Sequence, residues 1–75
     1  MVTSLENQIL MEAVVLAIKN DLTVDQRKVI ILRFVDGFSL IETAEIMGKE
    51  IDNIKVIQNR AIAKLRKVVD HKAGP

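Results

Sequence analysis

Apolar residues recur along this chain at the three-and-four spacing that is typical of amphipathic helices, and they do so in four segments. The first segment covers residues 5–19. Thr3 and Glu6 stand at its start with the spacing of a capping box, in which each side chain accepts a hydrogen bond from the other residue's backbone N–H. We therefore predict a first helix that begins after Thr3 and ends at Asn20.

The second segment opens with the same device, because Thr23 is followed three residues later by Gln26. This helix is predicted to run to about Asp36, and Gly37 ends it. Its apolar residues occupy two faces rather than one. The larger face holds Val24, Ile30, Ile31, Phe34 and Val35, and the opposite face holds Val29 and Leu32. Such a helix is either central to the core, which we favour, or partly exposed for a partner.

The third and fourth segments form the pair around which the chain is organised. Ser39 and Glu42 make a further capping-box pair, and Gly48 supplies the left-handed backbone position that ends a helix. After a turn of about three residues, a long amphipathic helix is predicted over residues 51–69. Two helices joined by so short a turn are typical of a helix-turn-helix, here at residues 39–69.

The length of 75 residues leaves room for a single domain over residues 1–75. The predicted fold is all-α, a compact four-helix domain over residues 5–69 that ends in a helix-turn-helix. Residues 70–75 are predicted to form a flexible tail.

The fourth helix separates into two faces when each residue is turned by about 100°. The apolar face holds Ile54, Ile57, Ala61, Leu65 and Val68, with Ile51, Ile62 and Val69 at its edge. The opposite face holds Lys55, Val56, Asn59, Arg60, Ala63, Lys64, Arg66 and Lys67. Gln58 falls inside the apolar face and interrupts it.

Charge is distributed unevenly along the chain, although the net charge is only +1. Residues 1–26 carry one basic residue and four acids (−3), and residues 27–54 carry four basic residues and five acids (−1). Residues 55–75 carry six basic residues and one acid (+5). A basic segment that coincides with the last helix indicates a polyanionic partner.

Composition excludes several classes of function. The chain has no cysteine, and its one histidine, His71, lies in the predicted tail. Neither a paired nucleophile and base nor a glycine-rich phosphate loop is present. No apolar run is long enough to span a bilayer, and no signal-peptide pattern is visible. We therefore expect a cytoplasmic protein that is not an enzyme, with no cofactor, metal, membrane or small-molecule substrate.

A basic helix face is usually only a solvated face, but the mixture of side chains on this one favours DNA. The candidates for phosphate contacts are Lys55, Arg60, Lys64 and Lys67. Asn59 stands among them and can pair with adenine through two hydrogen bonds, and Val56 can contact a thymine methyl group. Their place at the start of the second helix of a helix-turn-helix predicts a DNA-recognition helix.

The residues so far described resemble domain 4 of bacterial RNA polymerase sigma factors, and the extracytoplasmic-function group is the most similar. The resemblance spans residues 5–69 and rests on Leu-Thr-Val-Asp-Gln-Arg at 22–27, Ile-Leu-Arg-Phe at 31–34, Asp-Gly-Phe-Ser at 36–39, Glu42, Ala44, Gly48, Ile-Lys at 54–55, Arg-Ala at 60–61 and Lys-Leu-Arg at 64–66. It implies that the last two helices bind the minus-thirty-five promoter element. Lys55, Val56, Asn59 and Arg60 stand where the family contacts DNA.

The resemblance also implies protein partners. The earlier helices would dock on the flap of the RNA polymerase beta subunit, and an anti-sigma factor is a further candidate for the same surfaces. The candidate residues for these contacts are Val29, Leu32 and Arg33. The expected partners are thus double-stranded promoter DNA, the polymerase flap and an anti-sigma factor.

Two other interpretations stay open at this point. A LuxR-type response-regulator DNA-binding domain also has four helices, although Gln26 and Arg27 fit the sigma-type domain better. A protein-interaction module with weak DNA binding fits the two-faced second helix and the acids Glu50 and Asp52 near the reading end. Because a complete sigma factor needs another domain, the chain is either part of a longer protein or a free-standing module.

Overall fold

Four α-helices and one π-helical turn make up the computed structural model, which describes the backbone of residues 4–73 and the side chains of residues 7–71. The elements are α1 (Ser4–Asn20), α2 (Val24–Ile30), the π-turn (Ile31–Val35), α3 (Leu40–Met47) and α4 (Ile51–Ala73). No strand occurs in this range, which confirms the all-α prediction. The capping box predicted for Thr3 and Glu6 lies outside the described residues.

The junction between α1 and α2 is closed by hydrogen bonds to otherwise unpaired backbone groups. The capping box at Thr23 is present, since the Gln26 N–H donates to Thr23 Oγ1 and the Thr23 N–H donates to Gln26 Oε1, each at 3.1 Å. Arg27 donates from Nε to the Ile18 carbonyl at 3.0 Å and from Nη2 to the Lys19 carbonyl at 2.9 Å. Its charge therefore caps the C-terminal end of α1, where carbonyls lack helical partners.

The core consists of two small clusters that both lie against α4. One cluster holds Leu22, Ile30 and Ala61, and the other holds Val29, Ala44 and Ile54. Val29, Ile54 and Ala61 are completely buried. The small Ala44 side chain lets α3 approach this second cluster. Because α4 packs against α1, α2 and α3, its orientation is set by the rest of the domain.

The buried face of α2 differs from the prediction. Val29 and Ile30 were assigned to different faces, yet both are buried, because α2 lies between the two clusters and supplies one residue to each. Most of the predicted larger face is exposed instead: Val24 by 60%, Phe34 by 56% and Val35 by 72%. The burial of α2 in the centre of the core nevertheless agrees with the interpretation favoured from the sequence, rather than with a helix exposed for a partner.

The π-turn replaces the last part of the predicted second helix. The Asp36 N–H donates to the Ile31 carbonyl five residues earlier at 2.9 Å, and the Phe38 N–H donates to the Leu32 carbonyl, also at 2.9 Å. A turn that takes in an extra residue rotates the following side chains relative to α-helical phase. Arg33, on this turn, reaches α4 and the loop after the turn.

The fourth helix is longer than predicted. It continues to Ala73, so the prediction of a flexible tail is wrong for residues 70–73. The physical reason is visible in the sequence, since Asp70, His71, Lys72 and Ala73 include no helix breaker. Gly74 and Pro75 lie outside the described residues.

Candidate nucleic-acid interface

Local hydrogen bonds close both ends of α3, the helix that precedes the turn into α4. The Glu42 N–H donates to Ser39 Oγ at 3.1 Å and the Ser39 N–H donates to Glu42 Oε1 at 2.8 Å. The hydrogen bond from the Ser39 N–H to the Glu42 carboxylate, together with a hydrogen bond from the Ser39 side chain, lowers the pKa of the Glu42 carboxyl. Gly48 adopts the left-handed conformation with φ of 66° and ends the helix as predicted.

An ion pair joins this turn to α2. Lys49 Nζ lies 3.4 Å from Asp25 Oδ2, on the surface, where such pairs contribute little to stability. The pair links the starts of two helices, because Lys49 lies two residues before the start of α4 and Asp25 lies in the first turn of α2. The caps and this pair together fix where α4 begins.

The apolar stripe of α4 decides which of its residues face solvent. Ile54 and Ala61 are completely buried, while Ile57, Leu65 and Val68 are half-buried, as the sequence predicts. At about 100° per residue, the side of α4 opposite Ile54 points away from the whole domain. This side is a continuous exposed ridge.

Four of the six predicted DNA-binding residues come together on the first part of this ridge. Lys55, Val56, Asn59 and Arg60 are all exposed, and Val56 exposes 45% of its surface. They lie about 100° to 160° from Ile54 around the helix axis and span fewer than two turns. Two cations thus flank an aliphatic and an amide side chain. This is a chemically suitable arrangement for DNA, because cations bind phosphates while amides and methyl groups contact base edges.

The other two predicted residues, Lys64 and Lys67, do not join this group. Lys64 Nζ donates to Gln26 Oε1 at 3.1 Å and to the Asp21 carbonyl at 3.3 Å, so its charge is directed to the corner between α1 and α2. Lys67 lines a groove between α1 and α4. Both stand on α4 beyond the first two turns, and their side chains are placed beside α1 and α2 rather than beside Asn59.

The residues predicted to contact a protein partner need correction. Val29 is completely buried against Ala44 and Ile54, so it cannot be part of a contact surface of the folded domain. The sequence pattern places Val29 wrongly because helical periodicity does not show which neighbours flank each face of α2. Leu32 is half-buried and remains accessible.

Arg33 is engaged within the domain. Its Nε donates to Gln58 Oε1 at 2.9 Å and its Nη1 donates to the Phe38 carbonyl at 2.8 Å. The guanidinium also lies 5.5 Å from the centre of the Phe34 ring, within cation–π distance. Gln58, which interrupted the apolar face of α4 in the sequence, is therefore the hydrogen-bond acceptor that this arginine requires.

Sequence reasoning missed an apolar groove between α2 and α3. Ile31 and Leu32 line one side and Ile46 and Met47 line the other, while Asp25 and Lys28 stand at the rim. Ile46 exposes 55% of its surface and Ile31 exposes 38%. The exposed isoleucine on α3 was visible in the sequence, but its meeting with Ile31 depends on how the π-turn and α3 pack.

Among the side chains of residues 7–71, no group of three or more metal ligands lies together, and none of the helices within residues 4–73 is both long and apolar enough to cross a membrane. The ridge on α4 and the α2–α3 groove are the two surfaces that the candidate residues define.

A short capped helix, a tight turn and a basic helix packed on two further helices are the architecture of a sigma-type DNA-binding domain. Residues 20–67 match the sigma-70 region 4 family, and the chain belongs to this family. Region 4 is a DNA-binding domain of transcription initiation factors rather than of a known enzyme family. This match decides between the sigma-type and the response-regulator interpretations in favour of the first.

Two relatives belong to the extracytoplasmic-function group. The chain is 47% identical over 45 residues to the ECF RNA polymerase sigma factor SigX of Bacillus subtilis, covering 60% of this chain and 23% of that protein. It is 38% identical over 66 residues to the ECF RNA polymerase sigma factor BldN of Streptomyces coelicolor, covering 88% of this chain and 23% of the relative. The chain thus spans about a quarter of the length of these relatives. No solved structure matches it significantly.

Proposed function

We propose that α4 binds the minus-thirty-five promoter element in the major groove and joins RNA polymerase to it, in the cytoplasm. The observation that supports this proposal is the exposed group Lys55, Val56, Asn59 and Arg60, on the face of α4 opposite the buried Ile54. The major groove admits an α-helix, and recognition helices contact base edges with the residues of their N-terminal part.

Each side chain has a distinct part in this proposal. Lys55 and Arg60 flank the ridge and contact phosphates, which supplies sequence-independent affinity. Asn59 pairs with the N6 and N7 positions of adenine, and Val56 packs on a thymine methyl group. Lys64 contributes no phosphate contact, because its ammonium group is hydrogen-bonded to Gln26 and to the carbonyl of Asp21.

The test compares three single substitutions on one helix: Lys55→Ala, Arg60→Ala and Lys64→Ala. Binding of the 75-residue chain to a promoter duplex is measured at several salt concentrations. Each of the first two substitutions is expected to weaken binding to all sequences and to reduce the salt slope by about one, since one phosphate contact is lost. Lys64→Ala removes the same charge from the same helix and should leave the slope unchanged.

Asn59→Ala is expected to act on sequence preference rather than on overall affinity. Loss of a bidentate adenine contact costs about 1–3 kcal/mol on the preferred duplex and little on others, so the ratio of the two affinities falls. The proposal is refuted if no binding to a promoter duplex is detected at low salt both for the chain alone and for the chain in polymerase holoenzyme.

For the polymerase side, the α2–α3 groove is the surface that we assign to the flap of the beta subunit. Its exposed apolar residues Ile31 and Ile46 are flanked by Lys28 and Asp25, an apolar floor with a charged rim that suits an amphipathic helix. Leu32, one of the predicted partner residues, lines the same groove, whereas Val29 does not.

Two isoleucines of α3 provide a matched pair for this test. Ile46→Glu places a charge in the groove, and Ile41→Glu places the same charge on an equally exposed residue (61% against 55%) outside it. Only Ile46→Glu should abolish capture of a beta-flap fragment by the chain. Equal capture of the flap fragment by both variants would exclude the groove as the flap-binding surface. A stable complex with the flap or an anti-sigma factor, without any DNA binding, would favour a protein-interaction module.

A further inference from the structure

The groove between α1 and α4 shares no residue with the α2–α3 groove. Its apolar lining includes Ile9, Ala13 and Leu16 on α1 and Val68 on α4. Ile9 exposes 52% of its surface and Leu16 exposes 56%. These two side chains stand seven residues, or about two helical turns, apart on one line of α1, and the small Ala13 lies between them. An exposed apolar edge of α1 therefore runs beside an apolar groove.

The first helix has little other packing. Among its side chains from residue 7 onward, only Ala17 is fully buried. Within the described residues, α4 is the helix against which α1 mainly packs. A helix in a protein gains most of its stability from the packing of one face, and α1 spans 17 residues with one fully buried side chain. The edge of α1 and the α1–α4 groove thus form the kind of apolar surface that a protein partner covers.

Charge is divided between the two sides of this groove. Glu12 and Asp21 line it on the α1 side, and Lys67 and His71 line it on the α4 side. Among the side chains of residues 7–71, neither Glu12 nor Lys67 takes part in an ion pair. A partner that covers the groove must therefore bring a cation to the α1 side, an anion to the α4 side and an apolar edge between them.

We infer that this partner is a second copy of the chain, related to the first by a two-fold axis that runs along the two helices. Such a rotation exchanges the α1 side and the α4 side while each residue keeps its level along the helices, so α1 of one copy lies on α4 of the other. Glu12 of each copy then faces Lys67 of the other copy. Ile9 and Leu16 of each copy enter the groove of the other beside Val68, and the contact forms a bundle of four helices.

The size of the face sets the strength of this dimer. The α1 wall of the groove, from Ile9 to Asp21, is about 18 Å long at about 1.5 Å per residue. This is short for a permanent dimer, because stable interfaces bury about 800 Å² of each partner. We therefore expect reversible association between about 10 µM and 1 mM rather than an obligate dimer.

The experiment measures the mass of the 75-residue chain by sedimentation equilibrium over this concentration range, without DNA. The mass of the wild type is expected to rise from that of one chain toward that of two. Glu12→Lys and Lys67→Glu each place like charges opposite one another at both contacts, so each should weaken association at least about tenfold. Leu16→Glu should abolish it, whereas Met11→Glu, at a residue that is more exposed (64%) and outside the groove, should not.

An equimolar mixture of Glu12→Lys and Lys67→Glu separates contact between two copies from contact within one chain. In a mixed dimer, position 12 of each copy faces an opposite charge at position 67 of the other. The mixture should therefore recover the association that each variant lacks by itself. A contact within a single chain cannot produce this recovery, since neither variant contains both substitutions.

Three results would overturn the inference. The first is a wild-type chain that keeps the mass of a monomer up to about 1 mM. The second is a dimer that persists in Leu16→Glu, because the chain would then associate through another face. The third is a mixture of the two charge variants that associates no better than either variant. None of these results bears on promoter binding by α4, because the measurement contains no DNA.

Discussion

The contact between Arg33 and Gln58 should stabilise the domain measurably, and its removal is a direct test of how α4 is held. Gln58→Leu deletes the acceptor of the 2.9 Å hydrogen bond from Arg33 Nε and leaves this half-buried donor unpaired. Hydrogen bonds to charged groups contribute about 1.5–3 kcal/mol, and leucine recovers part of this by apolar burial on the inner face of α4. We expect a net loss of about 1.5 kcal/mol.

This loss is large for a domain of this size. The free energy of unfolding of a 75-residue chain is about 4–11 kcal/mol. A change of 1 kcal/mol moves the melting temperature of a domain of 60–100 residues by about 4–8 °C, so Gln58→Leu should lower it by about 6–12 °C. Arg33 keeps its second hydrogen bond, to the Phe38 carbonyl at 2.8 Å, and this limits the damage.

The assay is a double-mutant cycle by urea unfolding, followed by circular dichroism. Its corners are the wild type, Arg33→Leu, Gln58→Leu and the double variant, and a coupling free energy of about 1–2 kcal/mol is expected. A second cycle replaces Gln58→Leu by Asn59→Leu, the neighbouring but exposed position, and should give a coupling near zero. A coupling below about 0.5 kcal/mol in the first cycle would show that the hydrogen bond does not hold α4 against the π-turn.

Two further predictions concern α3. Thr43 is completely buried and its hydroxyl has no hydrogen-bond partner, so Thr43→Val, which keeps the shape, should raise stability by about 1 kcal/mol; an unchanged or lower melting temperature would contradict this. The pKa of Glu42 is lowered from its ordinary value of 4.5, so its contribution to stability is present above pH 4.5 and is lost as the pH falls through the folded-state pKa. The stability difference between the wild type and Glu42→Gln should therefore shrink in acid, with Glu45→Gln as the charge control, and a difference that is independent of pH would exclude this role.

Much of the fold was predictable from the sequence because its signals are local. The capping boxes at Thr23 and Ser39 and the left-handed Gly48 depend on residues three or fewer positions apart, and all three are present in the structure. The apolar stripe of α4 follows from helical periodicity alone. For the same reason the outward group of Lys55, Val56, Asn59 and Arg60 could be placed together before any tertiary contact was known.

Tertiary structure decided the features that depend on neighbours distant in the chain. Val29 is in the core because it packs against Ala44 of α3 and Ile54 of α4, and helical periodicity cannot tell which of two apolar faces meets a neighbour. Lys64 is directed away from the ridge by Gln26, 38 positions earlier in the chain. Arg33 reaches Gln58 across 25 positions, by way of the π-turn.

The sequence by itself therefore determined where α2 and α3 begin, where α3 ends and which side of α4 is polar, since these properties arise from hydrogen bonds and periodicity within one helix. Only the packing of the helices decided which polar residues remain free to meet a partner. The physical reason is that a long cationic side chain can bind either a DNA phosphate or a nearby backbone carbonyl. That carbonyl comes within reach of the side chain only when the domain is folded.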